Sequence, residues 1–327
     1  MSINIIDNED EYLNNRYHRC GIINEGNTCY MNSIIQSIYN IPIIVKNVFE
    51  INLKNNTNKN IDLIKQLQII FSKLNLCDYN ISIKNIFQKL KFQGHWNSNQ
   101  DAHEYYTKIM EIITDFNSTI KKLTNGILVN KIEVPKKKYF SIKEEEFLFL
   151  ELEIEKSHTL KDSFKLFFSK ETLKGENKIE IMEKGKKEYY EGTKKSYIKQ
   201  IPEILHICLK RFKYNETNNS FFKINNKITF EEKIDLSDYM YCKDSNQKYI
   251  LYCALIHSGT MFNGHYFIII KDFFSSLFYE INDTQIIQIS THKLLNDYCG
   301  GYYFHMNYDL KIRYEKETNI YILIYII

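Results

Sequence analysis

The chain reads as an α+β protein, with its helices gathered ahead of its strands. Two observations carry that reading. Up to about Asn125 the apolar residues recur every three or four positions, and from about Gly126 they recur every second position. A third concerns organisation: no internal repeat is visible, and with only three prolines there is no Pro-rich linker to mark a boundary.

Taken in order, the opening "MSINIIDNEDEYLNNRY" is acidic and lacks a basic start followed by an apolar run, so residues 1–16 read as a tail and not as a secretory or transit signal. A polar loop, "NEGNT", then leads into "CYMNSIIQSIYN", where Met31, Ile34, Ile35 and Ile38 have helical spacing and Pro42 marks the end. An Asn-rich loop over 52–60 precedes "IDLIKQLQIIFSKL", a helix with Ile61, Ile64, Leu67 and either Phe71 or Leu74 on one face. A third helix, "DAHEYYTKIMEIITDF", places Tyr105, Ile109, Ile112 and Phe116 together.

The strand half begins with "FLFLELEIE", whose Leu148, Leu150, Leu152 and Ile154 alternate with Phe147, Phe149, Glu151 and Glu153. A short helix is predicted around "LKDSFKLFF". Further strands are predicted at "ILHICLKRFKY", "KITF", "YILYCALIH", "HYFIIIKDF", "LFYEIND" and "IYILIYII". Between Gly175 and Lys199 a charged, Gly-punctuated segment suggests an excursion from the main body. The last run is far shorter than the roughly 20 residues of a membrane helix, and its β-branched and aromatic content favours a strand.

Composition narrows the function classes. The 327 residues can bury a sizeable core, and a hydrophobic content of 44% with 25% charged is ordinary for a globular chain. Lys+Arg 43 against Asp+Glu 40 leaves a net charge of +3, and the lysine clusters 136–138 and 184–187 are short and set among glutamates. Neither a nucleic-acid face nor a membrane contact is expected. Seven scattered cysteines with no CxxC pair suggest neither a disulfide framework nor a zinc ribbon. A reducing compartment, cytoplasm or nucleus, fits.

Local context singles out one thiol. Cys29 follows Asn27 and Thr28, either of which can cap a helix, so it falls in a first turn whose free N–H groups can support a thiolate nucleophile. The other reading is a core cysteine. For the base, "HSGTMFNGHYFIII" offers His257 and His265, and Gly264 would allow close approach of a backbone or a substrate. If the strand from His265 turns near Phe273 and Phe274 and returns as "LFYEIND", His265 lies opposite Asn282, whose amide oxygen could orient the imidazole. A turn one residue off would bring Asp283 or Ile281 there instead. Asn24, on a loop with Gly26, could fold back over the thiol so that its amide and the Cys29 N–H meet a developing oxyanion.

These stretches carry a family resemblance. "GIINEGNTCYMNSIIQ" resembles the Cys box of the ubiquitin-specific proteases, and "YILYCALIHSGTMFNGHYFIII" with "FYEIND" resembles their His box. Between them "NSNQDAHEYY" and "IPEILHICLKRFKY" are similar to further family motifs, in the family's order. The resemblance implies a papain-like fold in a catalytic domain over 17–327, with a helical thumb over about 17–125 and a β-rich palm and fingers over about 126–327. It implies Cys29 as nucleophile, His265 as general base, Asn282 as third member, Asn24 as oxyanion donor and Asp283 as an assisting acid. Asp101 and Tyr266 would meet ubiquitin, Asp101 through the modifier's basic tail. His257 would be structural. Where many members carry two Cys pairs for zinc, this chain reads "KIEVPKKK" and "ENKIEIMEKGKK", so no metal or other cofactor is expected. That zinc-less pattern most resembles the branch of the herpesvirus-associated ubiquitin-specific protease, reduced to a near-minimal catalytic domain. The implied activity is thiol-dependent hydrolysis after the C-terminal glycine of ubiquitin, by a monomer acting on ubiquitinated proteins. The alternatives are an inactive ubiquitin-binding module or a protease for a related modifier.

Overall fold

The computed structural model describes residues 20–54, 57–86, 100–183, 185–242, 247–272, 275–307 and 310–327, with only the backbone described over 304–307 and 310–312. The acidic tail over 1–16, the predicted turn at Phe273 and Phe274, and residues 97–99 of the "NSNQDAHEYY" motif lie outside them. The chain divides into two compact units: Met1–Ile120 with Leu255–Leu294, and Lys121–Ala254 with Leu295–Ile327.

The first unit holds α1 (Cys29–Tyr39), α2 (Pro42–Glu50), α3 (Ile61–Leu76) and α4 (Ala102–Phe116). In α1 the four apolar residues at helical spacing, Met31, Ile34, Ile35 and Ile38, are all fully buried. Pro42 does end α1, but it also opens α2, because a proline at the first helical position gives up an N–H that has no intrahelical acceptor anyway. α3 buries Ile64, Leu67 and both Phe71 and Leu74, while Ile61 at its start is half-buried.

α4 is turned from its expected face. It buries Ala102, Tyr105, Tyr106, Ile109, Met110 and Ile113, and leaves Ile112 and Phe116 half-buried. Apolar residues wind far enough round this helix that spacing alone allows two overlapping stripes. Contact with α1, where the Tyr30 and Tyr105 rings meet edge to face at 5.0 Å, accompanies the stripe actually buried. The same unit contains β13 (Gly264–Lys271), β14 (Phe278–Asn282) and β15 (Gln285–Ile289), joined antiparallel in that order, together with 255–259 of β12 (Lys248–Gly259) and the opening of α7 (Thr291–Asp297).

The second unit starts with most of α5 (Ser118–Thr124) and is mainly β. β1 (Gly126–Val134) begins where the period changes, and pairs along its whole length with β2 (Tyr139–Phe147). The sheet is completed by β7 (Gly192–Gln200) beside β1 and β4 (Glu171–Leu173) beside β7. β3 (Phe149–Leu152) runs parallel to β8 (Ile204–Leu209), which pairs antiparallel with β18 (Asn319–Ile326). Leu150, Leu152 and Ile154 are fully buried as the alternation requires, but Phe147 and Phe149 on the other side are covered too.

The Gly175–Lys199 segment forms a hairpin, β5 (Ile179–Glu183) with β6 (Lys186–Tyr190), before entering β7. β9 (Phe212–Asn215) and β10 (Ser220–Lys223) form another, as do β16 (Tyr302–Asn307) and β17 (Leu310–Glu315). β11 (Lys233–Asp235) pairs with the start of β12. The short helix expected near "LKDSFKLFF" is α6 (Leu160–Phe167), closed by a capping box between Thr159 and Asp162. "KITF" makes only an isolated bridge at Thr229, not a strand.

Among the described residues no helix is long and apolar enough to cross a membrane, and no group of three or more His, Cys, Asp or Glu side chains could hold a metal ion.

Candidate active site

Every residue singled out for chemistry lies in the first unit. Cys29 occupies the first position of α1 and is 4% exposed. The cap is Thr28, not Asn27, which instead takes a left-handed φ of 53°. No side chain caps the helix, because the Thr28 hydroxyl is used elsewhere: it accepts the Glu25 N–H at 2.9 Å and donates to Asn24 Oδ1 at 3.3 Å. The Cys29 N–H is therefore among the first-turn amides that have no intrahelical acceptor.

His265, the second residue of β13, is half-buried, and its Nε2 meets Asn282 Oδ1 at 2.6 Å. An amide oxygen only accepts, so Nε2 carries the hydrogen and Nδ1 remains for Cys29. The hydrogen bond to Cys29 is the largest influence on the imidazole and raises its pKa; burial opposes it, while Asn282, the sulfur's charge and the Asp283 carboxylate add to it, for a value of about 9. Tyr266, the next residue, points its backbone N–H at Cys29 Sγ at 3.4 Å.

The expected partner is present, but the expected register is not. The ladder sets Ile268 opposite Ile281 and Lys271 opposite Phe278, two residues displaced from the predicted pairing. Continued, it would set His265 against Thr284. Asn282 is thus a diagonal neighbour on the same face, within reach of a ring as long as imidazole.

Asp283 then turns the chain out of β14 with a φ of 51°. Its Oδ2 accepts the Asn24 amide at 2.9 Å and stands 3.9 Å from His265 Nε2, its Oδ1 accepts the Asn32 amide at 2.8 Å, and its carbonyl accepts the Ile22 N–H at 2.9 Å. Asn24 is tied at both ends. Its oxygen accepts the N–H groups of Gly26 and Thr28, each at 3.1 Å, and its second amide hydrogen has no acceptor among the described residues. The loop curls onto the Thr28 N–H through local bonds, and one long-range bond, from the Asn24 amide to Asp283, ties it to the end of β14.

Gly21 makes the close approach possible. A Cβ there would stand 2.6 Å from Thr284 Cα and 2.8 Å from the Asp283 carbonyl oxygen. Gly264 admits a backbone, as anticipated, and a ring besides: a Cβ there would lie 2.8 Å from the Thr260 carbonyl oxygen and 2.1 Å from His257 Nε2. His257 is buried, edge-on to Tyr266 at 4.6 Å.

Asp101 caps α4, its carboxylate accepting the His103 N–H at 2.8 Å. Tyr266 is 6% exposed, so its side chain offers little surface. Asn32 was missed by the sequence reading. The available signal is an amide side chain close to Cys29 in a helix whose spacing predicts burial, since a buried amide must find partners.

Comparison with known proteins places the chain in a family. The family model described as ubiquitin carboxyl-terminal hydrolase matches residues 20–325. The chain belongs to that family. Its relatives include ubiquitin carboxyl-terminal hydrolase 5 of Schizosaccharomyces pombe, 26% identical over 94% of this chain and 28% of the relative. Ubiquitin C-terminal hydrolase 12 of Arabidopsis thaliana is 27% identical over 94% of this chain and 29% of its own length. Ubiquitin carboxyl-terminal hydrolase 7 of Drosophila melanogaster is 26% identical, covering 94% and 27%. The chain therefore spans less than a third of the length of these family members.

Proposed function

We propose that the chain is a thiol-dependent deubiquitinase that hydrolyses the peptide or isopeptide bond after the C-terminal glycine of ubiquitin. The observation that carries this reading is the line Cys29, His265, Asn282: a thiol at a helix start, met at 3.4 Å by the backbone N–H of Tyr266 directly after His265, and an amide oxygen 2.6 Å from the His265 imidazole.

The chemistry follows from those contacts. Cys29 passes its proton to His265 Nδ1, its Sγ attacks the glycine carbonyl carbon, and the carbonyl electrons move onto oxygen. The Asn24 amide and the Cys29 N–H are the donors for that oxyanion, with Asp283 holding Asn24. The imidazolium of His265 protonates the leaving amine as the carbon–nitrogen bond breaks, leaving a thioester. His265, now neutral at Nδ1, takes a proton from water; the hydroxide adds to the thioester, and collapse releases the ubiquitin carboxylate and the thiolate. Asn282 keeps the ring in the tautomer that allows both transfers.

Asp101 is proposed to meet the basic tail of ubiquitin while capping α4, and Tyr266 to act through its backbone at the thiol. A nucleophilic thiol must stay reduced, and none of the seven cysteines is in a disulfide, which supports placing the protein in the cytoplasm or nucleus. Ubiquitin carrying a C-terminal electrophile tests the assignment: covalent capture that is lost in Cys29→Ala supports an enzyme, whereas binding without capture supports an inactive module. Parallel probes built on related modifiers separate the remaining alternative.

A further inference from the structure

We propose that Asn32, one helical turn after the cysteine, is a positioning residue for the oxyanion donor: it fixes the Asp283 carboxylate, and that carboxylate fixes Asn24. The inference rests on the deubiquitinase reading above and adds to it a residue that never touches substrate.

The orientation of the Asn32 amide is determined by what surrounds it. Asp283 Oδ1 lies 2.8 Å from Nδ2, and the carbonyl oxygens of Ile23 and Ile22 lie 3.3 and 3.4 Å from it. All three neighbours can only accept, so the NH2 end must face them. The Asn32 Oδ1 atom is buried without a hydrogen-bond partner among the described residues. A buried, unmatched acceptor is costly, and the opposite end of the same amide is what the arrangement requires. Asn32 itself is 2% exposed, on a rigid helix beside the nucleophile.

The consequence passes through Asp283. Its two oxygens are divided, one to Asn32 and one to Asn24. Without Asn32 the carboxylate loses its second anchor and can rotate about its side-chain bonds, and the Asn24 amide turns with it. Asn32 itself reaches neither His265 nor the sulfur, and Asp283, 3.9 Å from His265 Nε2, is the smallest of the influences on that ring, so nucleophilicity at Cys29 should fall far less than oxyanion support.

That separation gives the test. Asn32→Leu, close to isosteric, is assayed for hydrolysis of a ubiquitin C-terminal amide and, separately, for alkylation by ubiquitin bearing a C-terminal 2-bromoethylamide. In the alkylation the sulfur forms a bond to carbon as bromide leaves, and no oxyanion arises. The expected result is a fall in kcat of about 10- to 100-fold, less than the roughly 100- to 1000-fold that outright loss of an oxyanion donor costs, with KM unchanged and the alkylation rate within about twofold of native. In an Asn24→Ala background the same substitution should cost nothing further, because residues acting through one another are not additive. Asn32→Ser repeats the comparison if the leucine variant is poorly folded by thermal melting. Unchanged hydrolysis, equal losses in both reactions, or a full additional loss on the Asn24→Ala background would overturn the inference. If the native protein neither hydrolyses the amide nor is alkylated, the deubiquitinase reading falls first.

Discussion

His265 is where the residue-scale account is most exposed to experiment. Its imidazole titrates near 9, chiefly through the hydrogen bond to Cys29. In the proposed mechanism the charged ring is the acid that releases the amine, so the alkaline limb of kcat/KM against pH should lie near 9. Asn282→Ala removes one of the contacts that raise the value, so in that variant the limb should move to lower pH. Its kcat should fall by about 10²-fold, the lower range of acid–base contributions, with the melting temperature little changed. A limb that stays in place would remove Asn282 from the triad and turn attention to Asp283. The stability sign follows from the same shift: a folded-state pKa above the ordinary 6.5 contributes stability fully below 6.5 and loses it as the pH rises through 9. The melting-temperature difference between native protein and His265→Gln should accordingly narrow across that interval. At this scale the sequence was informative about identity and poor about register. Asn282 was named correctly from a ladder displaced by two residues, because side chains on one face reach diagonally.

At the scale of elements, Gly264 and Asp101 each join a local structural role to the site. Gly264 lets β13 pass against the His257 ring, and an added Cβ would meet Nε2 at 2.1 Å. Gly264→Ala should cost about 1–3 kcal/mol by overpacking. It should also lower kcat, because the displaced ring presses on Tyr266, whose N–H meets Cys29 Sγ. Thermal melting and steady-state kinetics check both. Asp101 separates its two roles by substitution. Asp101→Ala removes the cap of α4, at about 1 kcal/mol. Asp101→Asn keeps a capping oxygen and loses only the charge, so its melting temperature should match native while KM for a ubiquitin substrate rises about tenfold. An unchanged KM would leave Asp101 as a helix cap alone. Periodicity exposed the existence of α1, α3, α4 and of β3, β8, β9, β12, β13, β14 and β18, yet it could not decide which side of α4 is buried, because that depends on contacts with α1.

Over the whole molecule, the division into units was beyond local reading. Residues 255–294 return to the unit formed by the first 120, bringing His265, Asn282 and Asp283 to the unit that holds Cys29. The bonds that tie Asp283 to Asn24 and Asn32 span 259 and 251 positions of sequence. Spacing and capping rules act over a few residues, so only resemblance to whole motifs could associate these positions beforehand. The central claim remains chemical: Cys29 is the nucleophile of a ubiquitin hydrolase. Its most direct test is release of a fluorogenic amine from the C-terminus of ubiquitin by native protein and by Cys29→Ala, each confirmed folded. The account predicts turnover by the native protein and a rate for Cys29→Ala indistinguishable from the uncatalysed background. Substantial turnover by Cys29→Ala would contradict it.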